Sequence, residues 1–136
     1  MSLQQDLPLV ILPDKLAVCR LAVEAPFPEW ARLGDLLAFI RSRDELTVVC
    51  VERLVPPEVV AERAWRALQV QGPLDFALVG VLAAITAPLA AAGVSVFAIS
   101  TYDTDYILVK EDALERAIQA LGQAGFLVLN HVRLPA

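Results

Sequence analysis

VSVFAISTYDTDYILVK, residues Val94 to Lys110, carries the topology of this chain. VSVFAIS is rich in β-branched and aromatic residues, TYDTD is turn chemistry, and YILVK returns in the same style, so the stretch reads as a tight β-hairpin. The residues ahead of it, from Phe76 to Ile99, carry no charge. Leu78, Leu82, Ile85 and Leu89 recur there at spacings of four, three and four, the stripe of a helix. Asp75 stands just before the stripe as an N-cap candidate, Pro88 should kink the helix or end its regular part, and Gly93 suits a C-terminal stop. Its other face, with Val79, Ala83, Thr86 and Ala90, is small and uncharged and is expected to receive another helix.

Beyond the hairpin, Glu111 and Asp112 open a second helix, where acidic groups suit the dipole. Leu114, Ala117, Ile118 and Leu121 form its stripe, Gly125 stops it, and FLVLNHV reads as a last strand. Upstream, WRALQVQ alternates as a strand, with Trp65, Ala67 and Gln69 on one face. From Trp65 onward the order is strand, helix, strand, strand, helix, strand. That is the ferredoxin-like βαββαβ arrangement, an α+β fold with an antiparallel sheet and two helices on one face.

The first half is less regular. LPLVIL (Leu7 to Leu12) and LAVCRLAV (Leu16 to Val23) read as strands joined through Pro13-Asp14-Lys15, hence as a hairpin. EAPFPEWARLGD holds at most one helical turn. LLAFIR and LTVVCV are strand-like around a polar tip, and PPEVVAERA suits a short helix with proline near its start. IRSRDELTVVCVE (Ile40 to Glu52) lies on ISTYDTDYILVKE (Ile99 to Glu111) without gaps, so that Asp44 meets Asp103 and Glu52 meets Glu111. VEAP upstream resembles VQGP. The chain therefore divides into two related units, a degenerate one at 1–63 that has lost most of its first helix and a complete one at 64–136.

The 136 residues are 57% hydrophobic and 20% charged, too apolar for disorder. A chain of this size has little interior, so apolar surface is expected to remain for a partner, giving a homodimer or higher oligomer. The net charge is −5 and no segment clusters Lys and Arg, so nucleic acid is not an expected partner. The uncharged run is long enough to suggest a membrane span. Its alanines, Pro88, Gly93 and the switch to β-branched residues argue instead for two buried elements, and no membrane is expected. The N-terminus has no signal-peptide pattern. Cys19 and Cys50 sit in apolar strands, as reduced thiols of a cytoplasmic protein do.

No nucleophile–base pair, metal set or flanking carboxylate pair is visible. His131 is the only histidine, so neither catalysis nor a cofactor or metal is expected. Asp103 and Asp105 read either as turn chemistry or as the polar end of a ligand site. Arg41 and Arg43 read as a solvated hairpin tip, Trp30 and Trp65 as packing anchors.

GPLDF and ISTYDTDYILV, with LAVCRL and ERAWRALQVQ upstream, resemble the ACT-like domains of small bacterial amino-acid-binding proteins. These are in turn similar to the domains of the CASTOR arginine sensors. The resemblance spans roughly Leu7 to Val132. It implies tandem ACT-like units, a regulatory sensor without catalysis, and a small ligand, typically an amino acid, held between units. It places ligand contacts at Leu74, Asp75 and Phe76 in the strand-to-helix loop, and at Thr101, Tyr102, Thr104 and Asp105 in the hairpin turn. The arginine sensors are longer and have aromatic residues around the turn where Thr104 stands, so no particular amino acid is carried over. An amino acid's carboxylate suits a helix start, and its ammonium suits Asp103 or Asp105. The loop at Gly72 and the turn at Thr101 need not share one end of a unit, so a neighbouring unit is expected to bring them together. The alternative is a ligand-free structural or protein-interaction domain.

Overall fold

The structure, a computed structural model, describes residues 7–72, 74–75 and 78–130. Its strands are β1 (Leu9–Ile11), β2 (Leu16–Leu21), β3 (Ala38–Arg41), β4 (Leu46–Val51), β5 (Val60–Val70), β6 (Phe97–Ser100), β7 (Asp105–Lys110) and β8 (Val128–Asn130). Its helices are α1 (Val81–Ala91) and α2 (Leu114–Gln123). The chain divides into two compact units, residues 14–65 and residues 7–13 with 66–130. Strand β5 supplies its first part to the former and its last part to the latter.

The first unit is an antiparallel sheet in the order β3-β4-β2-β5. This is the ferredoxin-like strand order, and its two connections after β2 and β4 carry single 3₁₀ turns, at Glu29–Ala31 and Glu52–Leu54. Ala17, Cys19, Val48 and Cys50 form its buried layer with Ala31 and Val55, and Trp30 and Leu37 pack against it. The helix expected over PPEVVAERA is absent. Val60 begins β5, and Ala61 and Glu62 pair with Cys19 and Val18. The free side of β2 needs a hydrogen-bonding partner, and that tertiary demand outweighs weak local preference.

Cys19 and Cys50 are free, buried and hydrogen-bonded to each other. That bond lowers the Cys19 thiol below its ordinary range and, together with burial, pushes Cys50 far above it. Burial closes both to solutes, so an aromatic disulfide reagent should titrate neither thiol in the native protein and two per chain after denaturation. Rapid native reaction at either would contradict this packing.

The second unit has the sheet order β6-β7-β5-β1-β8. Strands β1 and β5 are antiparallel, and so are β6 and β7, whereas β1 runs parallel to β8. The hairpin expected between β1 and β2 does not form. Strand β1 pairs instead with β5 and β8 and occupies the slot between them. Its apolar run suits that slot, because Leu9 and Ile11 are buried among residues of both helices.

Helices α1 and α2 cover one face of this sheet. Val81, Ile85 and Leu89 of α1, with Ala117 and Leu121 of α2, meet Leu9, Ile11, Leu68, Val70, Ile107 and Val109. Helix α1 runs on past Pro88 to Ala91. Both helices end alike. The amides of Gly93 and Val94 bond back to Ala90 and Leu89, and those of Gly125 and Phe126 to Gly122 and Leu121. Both glycines have positive φ, the motif that satisfies a helix's last carbonyls. The small face of α1 is not covered as expected, since Ala83 and Ala90 are exposed.

Three consecutive elements of the two units correspond at one offset: Phe97, Asp105 and Glu111 begin theirs 59 residues after Ala38, Leu46 and Glu52. The turns repeat too. Ser42 N–H bonds Glu45 O at 2.9 Å, and Thr101 N–H bonds Thr104 O at 2.8 Å. In each, the hydroxyl of the first residue accepts from the last residue's amide. Glu52 accepts the amide of Ala64, a residue with φ 64°, at the irregularity between β2 and β5; Glu111 pairs with Arg66.

Candidate functional site

Two short segments close one end of the second unit. After β5 the chain leaves at Gln71 and reaches α1 at Val81; after β6 it turns through Thr101–Thr104 into β7. The two are clasped together. Leu74 N–H donates to Asp103 O at 2.6 Å, and the Thr104 hydroxyl donates to Val70 O at 2.5 Å. Gly72 permits the approach: a Cβ there would lie 3.0 Å from Asp103 O and 3.1 Å from Leu74 N. What Gly72 admits here is the turn. No neighbouring unit is needed to join the loop and the turn.

Between the clasp and the start of α1 lies a cleft of about 320 Å³. It is lined by Leu74, Asp75, Leu78, Gly80, Val81, Leu82 and the run from Ser100 to Asp105. Six of the seven residues expected at a site, Leu74, Asp75, Thr101, Tyr102, Thr104 and Asp105, thus face one space. The seventh, Phe76, lies outside the described residues, as does His131.

Their roles differ from expectation in two places. Asp75 is not the cap of α1. The helix starts six residues later, at Val81 after Gly80, and the Asp75 carbonyl instead accepts the amide of Leu78. Leu78 falls outside the helix, and Val81, Ile85 and Leu89 form the buried stripe at spacings of four. Thr104 is buried, and its hydroxyl proton is committed to Val70. The Thr101 hydroxyl is spent on the turn, donating to Thr104 O at 3.0 Å and accepting from Thr104 N–H. These two threonines build the wall.

The remaining chemistry is polarised. Among the described residues no side chain caps the N-terminus of α1, whose first residues, Val81 and Leu82, line the cleft. Opposite stand Asp103, which is exposed, and Asp105, which is half-buried. Asp75 adds a third carboxylate, and among the described residues no Lys or Arg lines the space. Sequence reasoning missed Gly80, Val81 and Leu82. Their signal was a glycine inside an apolar run, a residue accepted at helix starts. Two of the lining side chains are large and exposed, Leu78 at 41% and Tyr102 at 81%, and Val79 next to Leu78 in the chain is 85% exposed. Among the described residues no group of three or more His, Cys, Asp or Glu could hold a metal, and no helix is long and apolar enough to cross a membrane.

The ACT domain family profile matches residues 60–123, and a second profile, for an N-terminal domain, matches residues 14–58. A crystallised protein of Agrobacterium tumefaciens is 30% identical, with 96% of this chain and 97% of that one aligned at a TM-score of 0.87. The regulatory subunit of aspartate kinase from Thermus flavus shares the fold, with a TM-score of 0.63 over 86% of this chain and 96% of that one at 12% identity. The human cytosolic arginine sensor for mTORC1 subunit 1 is 43% identical over 58 residues, which are 42% of this chain. That match spans only 18% of the sensor's length.

Proposed function

We propose that this chain, whose residues 60–123 match the ACT domain family, is a non-catalytic regulatory protein that senses a free amino acid in the cleft of its second unit. One observation carries the reading: the uncapped start of α1 faces an acidic turn across a space of small-molecule size. A helix start offers unpaired amides and partial positive charge, which suit the ligand's α-carboxylate. Carboxylates opposite suit its ammonium, since hydrogen bonds between charged groups are the strong ones. The volume is at the lower end of small-molecule sites. The likeness to an arginine sensor and to a kinase regulatory subunit supports amino-acid sensing, and the free buried thiols support a cytoplasmic setting.

The lining also sets a charge rule. The described lining carries three aspartates and no Lys or Arg, a balance that disfavours a ligand with an acidic side chain, so neutral or basic amino acids are the candidates. In a thermal-shift screen of the twenty amino acids, at least one neutral or basic member should raise the melting temperature by several degrees near a hundredfold excess over Kd. Such an excess is worth about 2.7 kcal/mol of stability. Aspartate and glutamate should give no shift. Silence from all twenty at about 10 mM would remove the sensor reading.

The exposed side chains beside the cleft favour one alternative. Leu78, Val79 and Tyr102 would also serve a protein-interaction domain whose partner seats on the cleft. That domain would show no amino-acid shift.

A further inference from the structure

The first unit buries two thiols that the amino-acid cleft does not use. Strand register places them. Cys19 lies opposite Val48 and Cys50 opposite Ala17, so the two are diagonal neighbours on one face of the sheet. Both are buried, and they are hydrogen-bonded to each other. Ala17, Ala31, Val48 and Val55 complete their apolar cluster. Diagonal neighbours stand about 7–8 Å apart at Cα, whereas a disulfide spans about 4.4–6.8 Å. One atom placed between the sulfurs suits the longer span. Two thiolate–metal bonds of about 2.3 Å hold their sulfurs up to about 4.6 Å apart.

We infer that Cys19 and Cys50 form a two-coordinate site for a soft monovalent cation, of which Cu(I) is the type. Donor chemistry selects it, because sulfur ligands favour Cu(I) over the hard ions that carboxylates and water hold. Coordination number selects it too. Among the described residues no group of three or more His, Cys, Asp or Glu could hold a metal, so Zn(II), which takes four ligands, is left short. Charge balance agrees. Binding exchanges one proton for one cation: Cys19 loses its thiol proton to solvent and its sulfur bonds the ion, while Cys50 donates a lone pair as a neutral thiol. The pair stays uncharged, as an apolar interior requires. The hydrogen bond from Cys50, and after it the charge of Arg63, favour the ionised form of Cys19. Entry is short. Over this face residues 22–37 supply one 3₁₀ turn, Glu29–Ala31, with Trp30 and Leu37 against the cluster. A cover with so few hydrogen bonds opens locally at low cost, enough for a bare ion and too little for an aromatic reagent.

The test delivers Cu(I) without oxygen, from a coloured chelator of known affinity, to the native chain. One ion per chain should pass from the chelator to the protein. C19A and C50A should each weaken that uptake at least about a hundredfold, since each removes one of only two donors. C19S and C50S repeat the measurement at nearly constant volume, and circular dichroism confirms that every variant compared is folded. Zn(II) in equal amount should not displace the ion. The cleft takes no part, so a failed amino-acid screen leaves this result standing. No transfer to the wild-type chain, transfer that survives in either single variant, or transfer seen only after denaturation would overturn the proposal. So would an intrachain disulfide formed readily by mild oxidation of the native protein, because sulfurs that close on each other leave no seat for an ion.

Discussion

Asp105→Ala should weaken amino-acid binding by about 10- to 100-fold and leave folding stability almost unchanged. The reason lies in where the side chain stands. Asp105 opens β7, is half-buried, and faces the cleft, so its carboxylate can meet an ammonium out of bulk water. A hydrogen bond between a charged pair is worth about 1.5–3 kcal/mol, which is the fold-change stated. The clasp that shapes the cleft uses the Asp103 carbonyl and the Thr104 hydroxyl, and neither is touched. Calorimetric titration with the amino acid found by thermal shift, beside urea unfolding, separates binding from stability. Unchanged affinity would take Asp105 out of the site; a parallel fall in stability would make it a structural residue.

Gly34→Ala should be the most damaging single-methyl change in the first unit, costing about 3 kcal/mol. Gly34 has φ +114°, a conformation that costs an L-residue about 1–2 kcal/mol. A Cβ there would also lie 2.2 Å from Cγ2 of Val51, a core side chain with no room to retreat. Overpacking of that kind typically adds about 1–3 kcal/mol. Gly80→Ala is the matched comparison: φ is +88°, but nothing lies within 4 Å of the added Cβ. Urea unfolding should show the larger loss at position 34. Equal losses would mean that the contact with Val51 contributes nothing.

What could be read from the sequence was whatever local periodicity fixes. The hairpin from Val94 to Lys110 was legible because β-branched runs flank a polar turn. The repeat was legible because strand and turn lengths were kept across its 59-residue offset. What was hidden depends on partners far along the chain. Pro13-Asp14-Lys15 has the chemistry of a hairpin turn, yet β1 pairs with residues near positions 69 and 129. PPEVVAERA has acceptable helix chemistry, yet β2 recruits it as a strand. Two stripes fit α1 equally well, one from Leu78 and one from Val81, and only burial chooses the second.

The site was half legible. The residues that surround the cleft were named from the loop and the turn, but their division of labour was not. Thr104 looked available to a ligand until its hydroxyl was found bonded to Val70. Spacing cannot reveal such a commitment, because the acceptor lies 34 residues away.

The slot filled by β1 bears on how the chain matures. Leu9 is matched to Val70 on one side and to Val128 on the other, so the second unit's sheet closes only when strands far apart in sequence meet. Contacts of such long sequence separation form late and slow folding. The first unit draws all its strands from residues 14–65 and can assemble while the remainder is still being synthesised. The cleft beside α1 would then be among the last features to appear, absent from a ribosome-bound chain short of β8.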